Sequence, residues 1–196
     1  MPKREVFVAD ANAQSRRRLK RLLTEAGYAV AGEAQDAPGA LRAIRALMPD
    51  VAIVDVDLPG LGGLEVVKIL EEDRLCPAVL VASQMTWEMV EKARESMVLA
   101  CLIKPISAQD LVPTIEFAIA NYERAIKLEE KIRQLEERLD TRKVVERAKG
   151  YLMKSLGISE AEAYRLIQKR SMDKGVSMRQ IAEAILLTEG FKRGKP

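Results

Sequence analysis

The run Val51-Ala-Ile-Val-Asp55-Val-Asp57-Leu-Pro59-Gly60 decides the fold. Four apolar residues suit a strand buried on both faces; the strand ends in a carboxylate, and a Pro-Gly turn stops it. Parallel α/β sheets present ligand-binding groups at the carboxyl ends of their strands. Two further runs end in the same way: Val6-Phe-Val-Ala leads to Asp10, and Leu102-Ile leads to Lys104-Pro105. Two acids and a lysine at three strand ends can converge on one metal–phosphate site. A carboxylate is a nucleophile toward phosphoryl groups, a lysine neutralises the transferred oxygens, and Mg²⁺ takes oxygen ligands.

Strand and helix patterns alternate from residue 4 to about 121. Strands are expected over 4–9, 29–33, 51–55, 78–82 and 100–103, with helical patterns between them. The first helix is expected over Ser15–Ala26, with Leu19, Leu22 and Leu23 on one face and Gly27 closing it. Five βα units of this length predict a doubly wound parallel sheet over residues 1–121.

The fifth helix does not stop. From Ala108 to about Leu156 the sequence has one proline, Pro113, near the start, and no glycine before Gly150. Ala125, Leu128, Ile132, Leu135, Leu139 and Arg142 fall at a/d heptad spacing, with Glu, Lys and Arg between them. Residues 122–140 therefore predict a coiled-coil linker, because a narrow apolar seam needs a partner to bury it; the alternative is a single solvated helix held by i,i+4 ion pairs. Residues 141–196 predict a domain of three short helices. Gly157 caps the first, Ser159-Glu-Ala-Glu162 is a capping box for the second, and Asp173-Lys-Gly175 breaks the chain. Ser177-Met-Arg-Gln180 opens the third, with Gly190 expected to end it. The expected core is Val145, Ala148, Leu152, Leu156, Ala163, Leu166, Ile167, Ile181, Ile185 and Leu186.

The net charge of +3 conceals an asymmetry. Residues 141–196 hold 13 basic and 6 acidic side chains, whereas residues 1–140 are net −4, so a polyanionic partner is expected at the C-terminal end. The chain has no histidine, which excludes His-based triads and His metal ligands. Cys76 and Cys101 are far apart and are read as reduced core residues. No run approaches a membrane span, and Met-Pro-Lys-Arg-Glu leads directly into a strand without an apolar leader region, so a cytoplasmic protein is expected.

Residues 4–121 resemble a response-regulator receiver domain, which has a flavodoxin-like fold. The resemblance rests on Asp10 after strand 1, Asp55 after strand 3 with Leu58-Pro59-Gly60 beyond, and Lys104-Pro105 after strand 5. It implies that Asp55 accepts a phosphoryl group from a sensor histidine kinase and that Lys104 and Ser83 bind the phosphoryl oxygens. It also implies that Asp10, Asp55 and the backbone carbonyl of Asp57 hold Mg²⁺. The chain departs from the family at three places. Asp10-Ala11-Asn12 lacks the second of two adjacent acids, Ala82 stands where a Thr or Ser ends strand 4, and Cys101 stands at an aromatic switch position. A weak Mg²⁺ site and a receiver degenerate in phosphorylation are expected from these losses.

Residues about 135–190 resemble an ANTAR domain, the RNA-binding antitermination module. The matching residues include Ala148-Lys149-Gly150, Leu152-Met153, Gly157, Ser159-Glu160, Ala163-Tyr164, Ser171-Met172 and Ile181-Ala182. The resemblance implies a homodimer that binds hairpins in nascent mRNA. Lys143, Arg147, Tyr151 and Lys154 fall on roughly one face of the first helix, and Tyr164, Arg165, Lys169 and Arg170 decorate the second; Lys149 joins them as a candidate. Cations for phosphates and aromatic rings for unstacked loop bases are what hairpin recognition requires. The expected function is a two-component response regulator acting as a transcription antiterminator, not an enzyme. A DNA-binding response regulator is the alternative, since two helices about a glycine-bearing turn can mimic a helix-turn-helix. More remotely, Asp55-Val-Asp57 is similar to the nucleophile motif of haloacid-dehalogenase-type phosphatases, which place it on their first strand.

Overall fold

The strands form where β-branched and small apolar residues run uninterrupted. β1 (Glu5–Ala9), β2 (Ala29–Ala34), β3 (Val51–Asp55), β4 (Ala78–Ala82) and β5 (Ala100–Ile103) make one sheet in the order β2-β1-β3-β4-β5, every neighbouring pair parallel. The computed structural model describes residues 3–84, 86, 87, 91 and 100–193, with side chains in the last helix described to residue 188. The helix expected between β4 and β5 lies outside the described residues.

Alternation along the strands sorts two cores onto the two faces of the sheet. Val6, Val8, Ile53, Val79, Val81 and Leu102 point to one side and pack with Leu19 and Leu23 of α1 (Ala13–Glu25) and with Leu111 and Ile115 of α4 (Ala108–Leu156). Phe7, Ala9, Val54, Ala78 and Leu80 point to the other side, against α2 (Ala37–Leu47) and α3 (Gly63–Glu72). Each fully buried Leu, Ile or Phe stabilises this unit by about 1.5–3 kcal/mol. The chain divides into two compact units, residues 1–126 and 127–196, and α4 supplies residues to both.

In the second unit, α4 ends where Gly157 takes a left-handed φ of 67° and its N–H donates to the Met153 carbonyl at 3.1 Å. α5 (Glu160–Lys174) opens on the Ser159–Glu162 capping box and closes on Gly175. α6 (Met178–Arg193) opens on reciprocal hydrogen bonds between Ser177 and Gln180. Val145, Ala148 and Leu152 of α4 pack with Ala163, Ile167 and Ala182.

Three expectations are corrected. α1 begins two residues earlier than the periodicity indicated, because the Asn12 side chain accepts from the N–H groups of Gln14 and Ser15 and so caps it. Gly190 does not end α6, which continues to Arg193; a glycine weakens a helix by about 1 kcal/mol relative to alanine without forbidding helical dihedrals. Leu156 is not a core residue: it is 57% exposed, on the last turn before Gly157 turns the chain away.

Candidate functional site

In this strand order the topological switch lies between β1 and β3, where the chain leaves the central strands in opposite directions and opens a crevice at their carboxyl ends. β1 delivers Asp10 to that crevice and β3 delivers Asp55; both side chains are buried. β5 delivers Lys104, whose Nζ donates to Asp10 Oδ2 at 2.9 Å and to Asp55 Oδ2. The peptide between Lys104 and Pro105 is cis. The first turn of α3 closes the floor. A Cβ on Gly63 would lie 2.1 Å from the Asp55 carbonyl oxygen, so only glycine lets the helix approach β3 this closely.

One ammonium serves two carboxylates, and their surroundings set them apart. Burial pushes Asp10 up, but Lys104, the Ser15 hydroxyl at 2.5 Å and the Asn12 N–H at 2.7 Å hold it, on balance, below the usual carboxylate range. Asp55 shares Lys104 and has one further donor, the Asp57 N–H at 2.8 Å, so burial prevails and its carboxyl is held above the usual range. Burial disfavours the Lys104 ammonium, but hydrogen bonds to the two carboxylates more than offset that, leaving its pKa raised.

The Asp57 side chain is exposed, and its N–H is tied to Asp55. Ser83 is exposed and, with Lys104, borders a cleft of about 490 Å³ beside the acids. Ala82 is buried in β4 and brings no hydroxyl; Cys101 is half-buried against the second core, with a free thiol. Two supporting residues escaped the sequence reading. Ser15 hydrogen-bonds Asp10, and the Arg16 guanidinium donates to the carbonyls of Asp10 at 2.6 Å and Ala11 at 3.0 Å. Recognising Asn12 as an N-cap would have placed Ser15 in the first turn, facing back toward β1. Among the described residues no group of three or more acids, cysteines or histidines could hold a metal ion.

In the second unit, Lys143, Arg147 and Lys154 are exposed on α4, and Tyr151 is half-buried beside them. They lie within about 80° of arc at 100° per residue. Lys143 pairs with Asp140 at 3.6 Å; Arg147 and Lys154 have no ion pair among the described residues. On α5, Tyr164, Arg165, Lys169 and Arg170 are all exposed, with Arg165 and Lys169 as i,i+4 neighbours and Arg170 about 100° away from Lys169. Lys149 is a correction. It is 5% exposed, and its Nζ donates to Glu146 at 2.8 and 2.9 Å and to Glu160 at 2.7 Å. Its donations go to Glu146 within α4 and to Glu160, the first residue of α5, so it joins the two helices and belongs to no accessible cationic face. Its place between Val145 and Leu152 on the core side of the helix was the available signal. Leu128, Ile132, Leu135 and Leu139 are all about half-exposed along α4.

Comparison with known proteins finds a family for each half of the chain. Residues 6–116 match the response regulator receiver domain and residues 133–186 match the ANTAR domain. The chain is 37% identical over 187 residues to the transcriptional regulatory protein PdtaR of Mycobacterium tuberculosis, covering 95% of this chain and 91% of that one. It is 30% identical over 116 residues to the chemotaxis protein CheY of Thermotoga maritima, covering 59% of this chain and 96% of that one. Among solved structures, a LuxR-family two-component response regulator from Aurantimonas is similar with a TM-score of 0.56 and 29% identity, over 61% of this chain and 86% of that one. The alternation of strands and helices, the acids at the switch point and the capped helices beyond residue 127 thus have one account: the chain belongs to the response regulators that join a receiver to an ANTAR domain, a family of RNA-binding transcription antiterminators.

Proposed function

We propose that Asp55 is the phosphoacceptor, that its chemistry is weak, and that RNA hairpins are gripped by the exposed cations of the second unit in a homodimer. The observation that carries the first part is the Asp10–Lys104–Asp55 constellation, with Ala11 beside it. Lys104 stands where it would neutralise transferred oxygens, and Ser83 borders the same opening. A sensor histidine kinase is the natural donor for such an acid. Mg²⁺ fits this pocket poorly. It would have the carboxylates of Asp10 and Asp55 and the Asp57 carbonyl, but Ala11 offers no carboxylate, and both acids already share the Lys104 ammonium. The same tie partly compensates the buried acids with no metal present.

Arg147, Lys154 and Lys169 support the RNA reading, since exposed cations without carboxylate partners among the described residues are free for phosphates; Arg165, exposed beside Glu162, adds to the same positive face. Tyr164, 43% exposed, offers a ring for an unstacked base. The half-exposed seam from Leu128 to Leu139 supports a two-stranded coiled coil over residues 122–140, linking a receiver over 1–121 to an RNA-binding domain over 141–196. The decisive experiment compares binding of the full chain to an RNA hairpin and to a DNA duplex at equal, stated salt. Hairpin preference is expected; duplex preference would replace this reading with a DNA-binding regulator.

A further inference from the structure

The cleft of about 490 Å³ beside the acid pocket has a size typical of small-molecule sites and extends past Lys104 and Ser83 to Arg18, Leu22 and Ile106, which the phosphoryl chemistry proposed for Asp55 does not use. One wall is the inner side of α1, the other the ends of β4 and β5. Leu19, Leu22 and Ile106 make its apolar part; Ser83 adds a hydroxyl. Its lining holds two cations, Lys104 and Arg18, and no carboxylate. Lys104 is committed to Asp10 and Asp55. Arg18 is not: it makes a long hydrogen bond to the Ile106 carbonyl at 3.4 Å, and among the described residues it has no ion pair. Its neighbours on α1 differ, since Arg16 and Lys20 both reach Glu33 and Arg21 reaches Glu25. Arg17 is likewise without an ion pair among the described residues, but it does not line the cleft; Arg18 is thus the guanidinium with donors to spare at the mouth of a partly apolar cleft. A guanidinium fork matches a carboxylate in a bidentate fashion, and the adjacent N-terminal turn of α1 adds to the positive potential.

We propose that this cleft binds a small organic carboxylate with an apolar body, the anion on Arg18 and the body against Leu22 and Ile106. Such a ligand would give a receiver with an incomplete metal site an input that needs no phosphoryl group. The binding claim stands apart from the role of Asp55, so it is tested on the full chain without Mg²⁺ or phosphodonor. The isotope-labelled protein is titrated, by amide NMR, with small aliphatic and aromatic acids, each paired with its own carboxamide. Acids are expected to move the amides of Ser15, Arg18, Leu22, Ser83 and Ile106, and the uncharged partners to bind about tenfold more weakly. Arg18→Gln, a change at an exposed position, should bring the acids down to the level of their carboxamides and leave the carboxamides unchanged. The proposal is overturned if no acid moves these amides, if acids and carboxamides bind equally, or if Arg18→Gln leaves the difference intact.

Discussion

At the residue scale, position 11 and Lys149 separate two kinds of evidence. Ala11 is a missing oxygen, and its consequence is chemical: Ala11→Asp should tighten Mg²⁺ by about tenfold or more, as a hard-cation site gains a carboxylate. Calorimetric titration of both proteins measures this, and equal affinities would show that the acid belongs elsewhere on the loop after β1. In the same protein, a small phosphodonor should label Asp55 slowly and incompletely; rapid stoichiometric labelling would refute the weak pocket. Lys149 is a cation spent inside the fold. Lys149→Gln should weaken hairpin binding by loosening the joint between α4 and α5, while the slope of log affinity against log salt stays unchanged. Lys169→Ala, at an exposed position proposed to meet phosphate, should lower that slope by about one unit. The Lys149 joint is also pH-dependent. Its ammonium lowers the Glu160 carboxyl, and the Ser159 hydroxyl and N–H lower Glu162. A depressed acid contributes stability above its unfolded value, about 4.5, and loses it as pH falls through the folded one. The helices of the second unit should thus melt more easily below about pH 4.5, and Glu160→Gln should flatten that acid branch.

At the element scale, α4 is the deciding feature. Its 49 residues include one stretch, 127–140, in which every residue is exposed. Arg133 with Glu130 and Glu137 supports it locally, but exposed i,i+4 pairs contribute only about 0.3–0.5 kcal/mol each. A helix of this kind persists in water through burial of its apolar seam against a partner. Leu135→Glu should therefore shift a dimer toward monomer, measured by light scattering at micromolar concentration. An unmodified chain that is monomeric under those conditions would leave the seam as a solvated single helix.

At the scale of the whole molecule, charge divides along the chain. Residues 141–196 are net +7 and residues 1–140 net −4. A fragment of residues 135–196 should retain most of the hairpin affinity, and residues 1–120 should have none, by electrophoretic shift at fixed salt. Binding by the acidic fragment would move the RNA site and overturn the assignment of the basic face. Among the described residues no helix is long and apolar enough to cross a membrane.

The sequence by itself determined the elements and their order. Strand bounds over β3, β4 and β5, the run of α4 and the caps at Ser159, Gly175 and Ser177 were legible because each depends on residues two to four positions apart. The strand ends carrying Asp10, Asp55 and Lys104 were legible for the same reason. Only the tertiary structure decided what those side chains do to one another. Lys104 lies 94 residues from Asp10 and 49 from Asp55, and no local pattern states that one ammonium bridges both. Nor does local pattern separate Lys149, held by Glu160 across the turn after α4, from Arg147, which is exposed and has no ion pair among the described residues. Burial depends on packing between elements distant in sequence, and burial is what turns one lysine into a structural joint and leaves another cation to meet phosphate.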